Sequence, residues 1–314
     1  MASSSPSAVS ETQYTQKAFV ANVAPRQGSQ RLYFTRAGER LCRAFPNWTE
    51  SCLAAGGGLG HYVIHDLNQP IKMLDRPGGV EAYKKDGPLS EFGAIAAQLV
   101  GRGFRYRGVR FQRVYCSPAL RAVQTAAAML RANLCAEGGH DAPKICVEPG
   151  LFECLYWYHG ELPSFVEPRW LADAAGYPVD VDYRPIISLA ELKDACSREL
   201  HPTSSYSRLE VVASELAARQ SEGAANVLVV GHGVTTDACV RHLCRLPSRP
   251  TLTSAGKYDI RKLGLHYPFT SVVGIENEGG PGSEWKLCGG DVIPPLSYLD
   301  QTSSVDPNFV SQSI

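Results

Sequence analysis

The sequence predicts an α/β domain built on a mainly parallel central sheet covered by helices. Short apolar runs of strand character alternate with longer segments of helical composition, as when strands are joined by crossover helices. The 314 residues fit one large domain with insertions. Hydrophobic residues make up 44% and charged residues 20%, ordinary proportions for a globular chain.

Taken in order, residues 1–30 are rich in Ser, Ala and Gln and read as a disordered leader. They lack the basic start and apolar stretch of a signal peptide. A domain over 31–299 follows. Its first strand falls at 32–34, and a long insertion with a Gly56–Gly60 glycine run occupies 47–81. A helix over 89–100 precedes a strand at 113–116. The next helix spans 119–134, with Ser117 as its N-cap and Pro118 at its first position. Strands at 144–147, 226–230 and 271–275 and helices at 206–219 and 234–243 complete the alternation. A second insertion, rich in Pro, Tyr and Trp, fills 153–190. Insertions of this kind belong over the carboxyl ends of the strands, where specificity usually resides. The polar stretch 300–314 reads as a disordered tail.

Lys plus Arg equals Asp plus Glu at 31 each, so net charge gives no pointer to nucleic acid or an anionic membrane. No apolar run approaches the roughly 18 residues that span a bilayer. Ten cysteines carry no CxxC pair, and reduced thiols are expected rather than disulfides or a zinc site.

Five residues far apart in sequence stand at or just beyond strand ends: Arg36, Arg40, Arg121, Glu153 and His232. In an open α/β sheet such ends converge on one crevice. Three guanidiniums and an imidazole there would grip a phosphate monoester through charge-assisted hydrogen bonds. Arg121 also falls in the first turn of a helix, whose backbone N–H groups favour an anion. Taken singly each has a plainer reading: an Arg is usually a solvated charge, and a loop His is usually structural. Their joint order is what carries weight.

That order resembles the histidine phosphatase (phosphoglycerate-mutase-like) superfamily. Arg36-Ala37-Gly38-Glu39-Arg40 is similar to its Arg-His-Gly-Glu-Arg motif, with alanine at the nucleophile position. Cys116-Ser117-Pro118-Ala119-Leu120-Arg121 resembles the motif supplying a further phosphate-binding arginine. Glu148-Pro149-Gly150-Leu151-Phe152-Glu153 resembles the segment with the acidic proton donor, and Gly231-His232-Gly233 the one with the second pocket histidine. Within the superfamily, His65-Asp66-Leu67-Asn68-Gln69-Pro70, the stretch 85–93 and Asp182-Tyr183-Arg184-Pro185 are similar to the suppressor-of-T-cell-receptor-signalling and ecdysteroid-phosphate phosphatase branch.

The resemblance implies a sheet with helices on both faces and long insertions over the active-site end. It assigns phosphate holding to Arg36, Arg40, Arg121 and His232, and protonation of the leaving oxygen to Glu153. It implies a cytoplasmic homodimer (a nuclear location is also compatible), no metal and no organic cofactor, with a phosphorylated small molecule or phosphoprotein as ligand. Alanine has no lone pair to attack phosphorus, so covalent catalysis cannot run through position 37. The expected function is therefore that of a pseudophosphatase. The alternative is an active phosphomonoesterase using a substitute nucleophile, His61 or His65, or a direct water attack. Cys154, where that branch usually has tryptophan, is expected to alter the pocket wall beside Glu153.

Overall fold

A computed structural model describes residues 29–53, 59–134, 142–220, 226–250, 256, 259–277, 283–289, 292–298 and 301–311. The central sheet holds β1 (Gln30–Arg36), β2 (Arg113–Cys116), β3 (Ile145–Val147), β4 (Asn226–Gly231), β5 (Val272–Asn277) and β6 (Lys286–Leu287), in the order β3-β2-β4-β1-β5-β6. The pairings β2–β3, β2–β4 and β1–β4 are parallel, whereas β1–β5 and β5–β6 are antiparallel. The sheet is thus parallel through its centre with an antiparallel edge.

The strands are near-continuous apolar runs because helices cover both faces. Alternation along β1 and β4 separates two cores. Tyr33, Val114, Leu228 and Val230 pack with α1 (Glu91–Tyr106) and α2 (Leu120–Leu134). Leu32, Phe34, Val227 and Val229 pack with α3 (Ser205–Gln220) and α4 (Gly233–Leu243). Helices α1 and α2 cross closely at Gly101, where a Cβ would strike the Met129 carbonyl. The nine cysteines among the described residues are free thiols.

Residues 1–28 of the expected leader lie outside the described residues, and β1 begins at Gln30, beside the expected domain start. The expectation for the tail changes. The tail is not an unstructured extension over 301–311. A short helix, α5 (Pro307–Ser311), buries Phe309 and Val310. Arg249 Nη2 donates to the Phe309 carbonyl (2.9 Å), Arg241 Nη1 donates to the Val310 carbonyl (2.9 Å), and the His266 ring stacks on Phe309 at 3.8 Å. Two apolar side chains in a polar stretch were enough to seat it. Residues 300 and 312–314 of that expected tail lie outside the described residues.

Candidate functional site

The register β3-β2-β4-β1 sets the carboxyl ends of four parallel strands side by side, with Arg36 opposite Gly231 and Cys116 opposite both Val230 and Val147. Of the residues that follow these ends, Ala37 and His232 meet at one crevice, and buried Ser117 is hydrogen-bonded to His232. The crevice is a cleft of about 1290 Å³ whose lining includes Arg36, Ala37, Arg40, Arg121, Glu153 and His232. All five residues singled out in the sequence therefore converge, and position 37 lies among them.

The turn after β1 is held by its small residue. A Cβ on Gly38 would come 2.7 Å from the Gly93 carbonyl oxygen. The Gly38 amide donates to Thr125 Oγ1 (3.0 Å), and the Glu39 carboxylate accepts from Ser90 Oγ (2.7 Å) and Asn68 Nδ2 (3.1 Å). Gly38 and Glu39 thus shape the loop, and Arg36 and Arg40 line the cleft on either side of them. The Ala37 amide donates to the Gly231 carbonyl (2.8 Å), and its side chain is a methyl group with no atom to donate or attack.

Arg36 spends Nη1 on the carbonyls of Gly264 (2.9 Å) and Tyr267 (2.6 Å) and lies 4.1 Å over the Phe269 ring. Burial brings its pKa down to about 10, against the pull of Glu153. The Arg40 side chain makes no hydrogen bond or ion pair among the described residues, so its guanidinium is open to a ligand.

Arg121, in the first turn of α2, is buried. Its Nη2 donates to Glu153 Oε1 (2.5 Å) and to His232 Nδ1 (3.2 Å). Because Nδ1 accepts, His232 carries its proton on Nε2, which donates to Ser117 Oγ (2.8 Å). Burial, helped by the Arg121, Arg36 and Arg40 charges, outweighs Glu153 and lowers the His232 pKa to about 3. The imidazole is neutral, so its 3.7 Å approach to Glu153 Oε2 is not an ion pair.

Glu153 also accepts from the Tyr158 hydroxyl (2.6 Å). Burial raises its pKa, but Arg121 foremost, with Arg40 and the Tyr158 hydrogen bond, brings it to about 2. In the free protein the carboxylate is ionised. Its backbone is clamped by Arg208, buried on α3, which donates to the carbonyls of Gly150 (2.6 Å), Phe152 (2.8 Å) and Glu153 (3.0 Å) and pairs with Glu199 (2.6 Å).

Several expectations change here. The Ser117 hydroxyl turns mainly to His232, and the α2 start is capped by Asp86 Oδ1, which accepts from the Leu120 amide (2.8 Å). Cys154 does not line the cleft: it is buried, its thiol donating to the Pro202 carbonyl at 3.3 Å. Neither His61 nor His65 lines it, and His65 Nε2 contacts the Ser51 carbonyl at 2.9 Å. The second insertion contributes Glu153, Trp157, Tyr158, His159 and Glu161, whereas none of the described residues of 47–81 reaches the cleft. Sequence reading missed Tyr158 and Arg208, and also the stretch Ile260–Phe269, which carries no motif. No cluster of three His, Cys, Asp or Glu side chains suited to a metal occurs among the described residues.

Comparison with known proteins agrees with this geometry. Residues 79–140 match the model of the histidine phosphatase superfamily (branch 1). The chain is 32% identical over 275 residues to ubiquitin-associated and SH3 domain-containing protein B of Mus musculus, covering 87% of this chain and 40% of that protein. It is 34% identical over 275 residues to the ecdysteroid-phosphate phosphatase of Bombyx mori, covering 87% of this chain and 37% of the relative. The chain therefore spans well under half the length of these relatives. A crystal structure of the Bombix mori ecdysone phosphate phosphatase in complex with tungstate superposes with a TM-score of 0.68 at 31% identity, covering 86% of this chain and 95% of that one. With that coverage and the converging site, the chain belongs to the histidine phosphatase superfamily.

Proposed function

We propose that the cleft binds the phosphoryl group of a phosphomonoester and that the chain does not turn it over at the rate of a working phosphatase. Arg121, Arg40 and Arg36 with neutral His232 surround the floor at position 37, and that floor is a methyl group. This single observation carries the reading, because a pocket can stay complementary to phosphate without the atom that would attack it. Removing a nucleophile elsewhere has cost roughly six orders of magnitude in turnover. The tungstate bound to the similar phosphatase is an oxyanion, which supports anion binding here.

In this reading Arg121 turns from Glu153 to the bound phosphoryl oxygens. A dianion beside the freed carboxylate raises the Glu153 pKa, which is how this residue would come to hold the proton for a leaving oxygen. The rival, an active phosphomonoesterase, needs a water activated at the same floor, since His61 and His65 stand elsewhere. The homodimer and the cytoplasmic location implied by the resemblance remain proposals of the same kind.

The test is paired. Hydrolysis of a generic aryl phosphate is expected at background, and turnover on the order of one per second would refute the pseudophosphatase reading. Calorimetry is expected to show orthophosphate or vanadate binding, weakened about ten- to a hundredfold in Arg121→Ala through loss of a charge-assisted contact. Absence of binding would remove the phosphate reading itself.

A further inference from the structure

The cleft carries more positive charge than one phosphate neutralises. Among the described residues, seven Lys and Arg side chains line it against the carboxylates Glu153 and Glu161. Two of those cations answer to carboxylates outside the cleft, Lys84 to Glu81 (2.7 Å) and Arg261 to Asp259 (2.8 Å). A phosphomonoester dianion takes about two more charges. One cation is left over, and the structure indicates which.

Arg43 lines the cleft and makes no side-chain hydrogen bond or ion pair among the described residues. It sits in the short helix Leu41–Ala44, one turn beyond Arg40. The Leu41 amide donates to the Pro88 carbonyl (2.8 Å), and a Cβ on Gly87 would lie 3.3 Å from Cys42 Sγ. These contacts set the Arg43 helix beside the segment that follows Lys84 and Lys85. Among the described residues Lys85 is held only by Glu161 (2.5 Å), with both side chains exposed. Such a pair is weak and exchanges readily for another carboxylate.

The size of the cleft narrows the occupant. About 1290 Å³ exceeds the roughly 1,000 Å³ upper end of small-molecule pockets. Its wall includes half-exposed Trp157 and exposed Leu265, apolar surface on which peptide side chains can lie. We propose a second anion subsite, formed by Arg43 with Lys85, that takes an acidic side chain next to the phosphoresidue of a phosphorylated peptide segment. This inference rests on the phosphate-binding reading above and adds to it a preference for acidic flanks.

Calorimetry with three probes separates the two ideas: orthophosphate, a phosphotyrosine heptapeptide with Glu on both flanks, and the same peptide with Gln. The Glu peptide is expected to bind about tenfold tighter than the Gln peptide, an advantage that shrinks at about 0.5 M salt. In Arg43→Ala the ratio of the two affinities is expected to fall towards one. Arg43→Gln, which keeps the packing of the side-chain stem, is expected to do the same. Equal affinities for the two peptides, with orthophosphate still bound, would overturn the subsite and leave the phosphate reading standing. An unchanged ratio in both Arg43 variants would overturn it too. Failure of all three probes to bind would bring down the phosphate reading and this inference with it.

Discussion

Position 37 turns on one methyl group. The Ala37 backbone is fixed by its bond to Gly231 and by Gly38 against Gly93, so a larger side chain there would project from a set loop. An imidazole at 37 would stand among Arg36, Arg40 and Arg121, whose charges favour its neutral, nucleophilic form. Cys154, next to Glu153, is buried with its thiol on the Pro202 carbonyl and leaves the wall to Tyr158 and Trp157. Ala37→His is therefore expected to gain aryl phosphate hydrolysis over the starting protein. The gain is expected to vanish in the double variant Ala37→His/His232→Ala. Rapid-quench mass spectrometry at neutral pH should find phosphohistidine at 37. An inert Ala37→His protein that still binds vanadate would show that the groups around the floor no longer align with an attacking atom, since misplacement by 1 Å can cost about a hundredfold.

Elements hold these side chains through partners remote in sequence. Arg208 on α3 fixes the Glu153 loop through three carbonyls, and Asp86 caps α2 while pairing with buried Arg76 at 3.0 Å. Arg208→Ala would leave the Glu199 carboxylate buried without its charge partner, and the expected cost is about 3–5 kcal/mol in denaturant unfolding. Loss of less than about 1 kcal/mol would mean that solvent or another side chain replaces the guanidinium. The strands of the parallel core were legible in the sequence because 227–230 and 114–116 are unbroken apolar runs, a signature of burial on both faces. Pro118 marked the α2 start to within two residues. The long-range caps were not legible: the Leu120 amide and Asp86 are joined by the fold alone. Nor was Ile260–Phe269, whose carbonyls hold Arg36, since a backbone acceptor leaves no trace in side-chain type. The short helix α5 escaped for a related reason, with Phe309 and Val310 giving too short a pattern for a period.

On the scale of the whole molecule, a chain of zero formal net charge sets seven of its 31 Lys and Arg residues around one cleft while keeping its central imidazole uncharged. That arrangement makes folding sensitive to acid. His232 falls from an ordinary value of 6.5 to about 3 in the folded state, and Glu153 from 4.5 to about 2. Both folded values are depressed, so the unfolded chain binds more protons between each pair of values, and stability rises with pH there. The contribution of His232 is fully present above about pH 6.5 and is lost as pH falls towards 3. That of Glu153 is present above about 4.5 and is lost towards 2. Each proton sets a slope of at most about 1.4 kcal/mol per pH unit. Burial also lowers the pKa of His266, so His232 must be isolated by substitution. The expected result is a melting temperature that falls as pH drops from 7 to 4 without phosphate present. His232→Asn, which can keep a hydrogen bond to Ser117, should flatten the part between about 6.5 and 4.5 and leave the steeper loss below it. Superimposable profiles for the two proteins would mean that His232 accepts a proton without unfolding the cleft, and that the guanidiniums around it move aside to admit the charge.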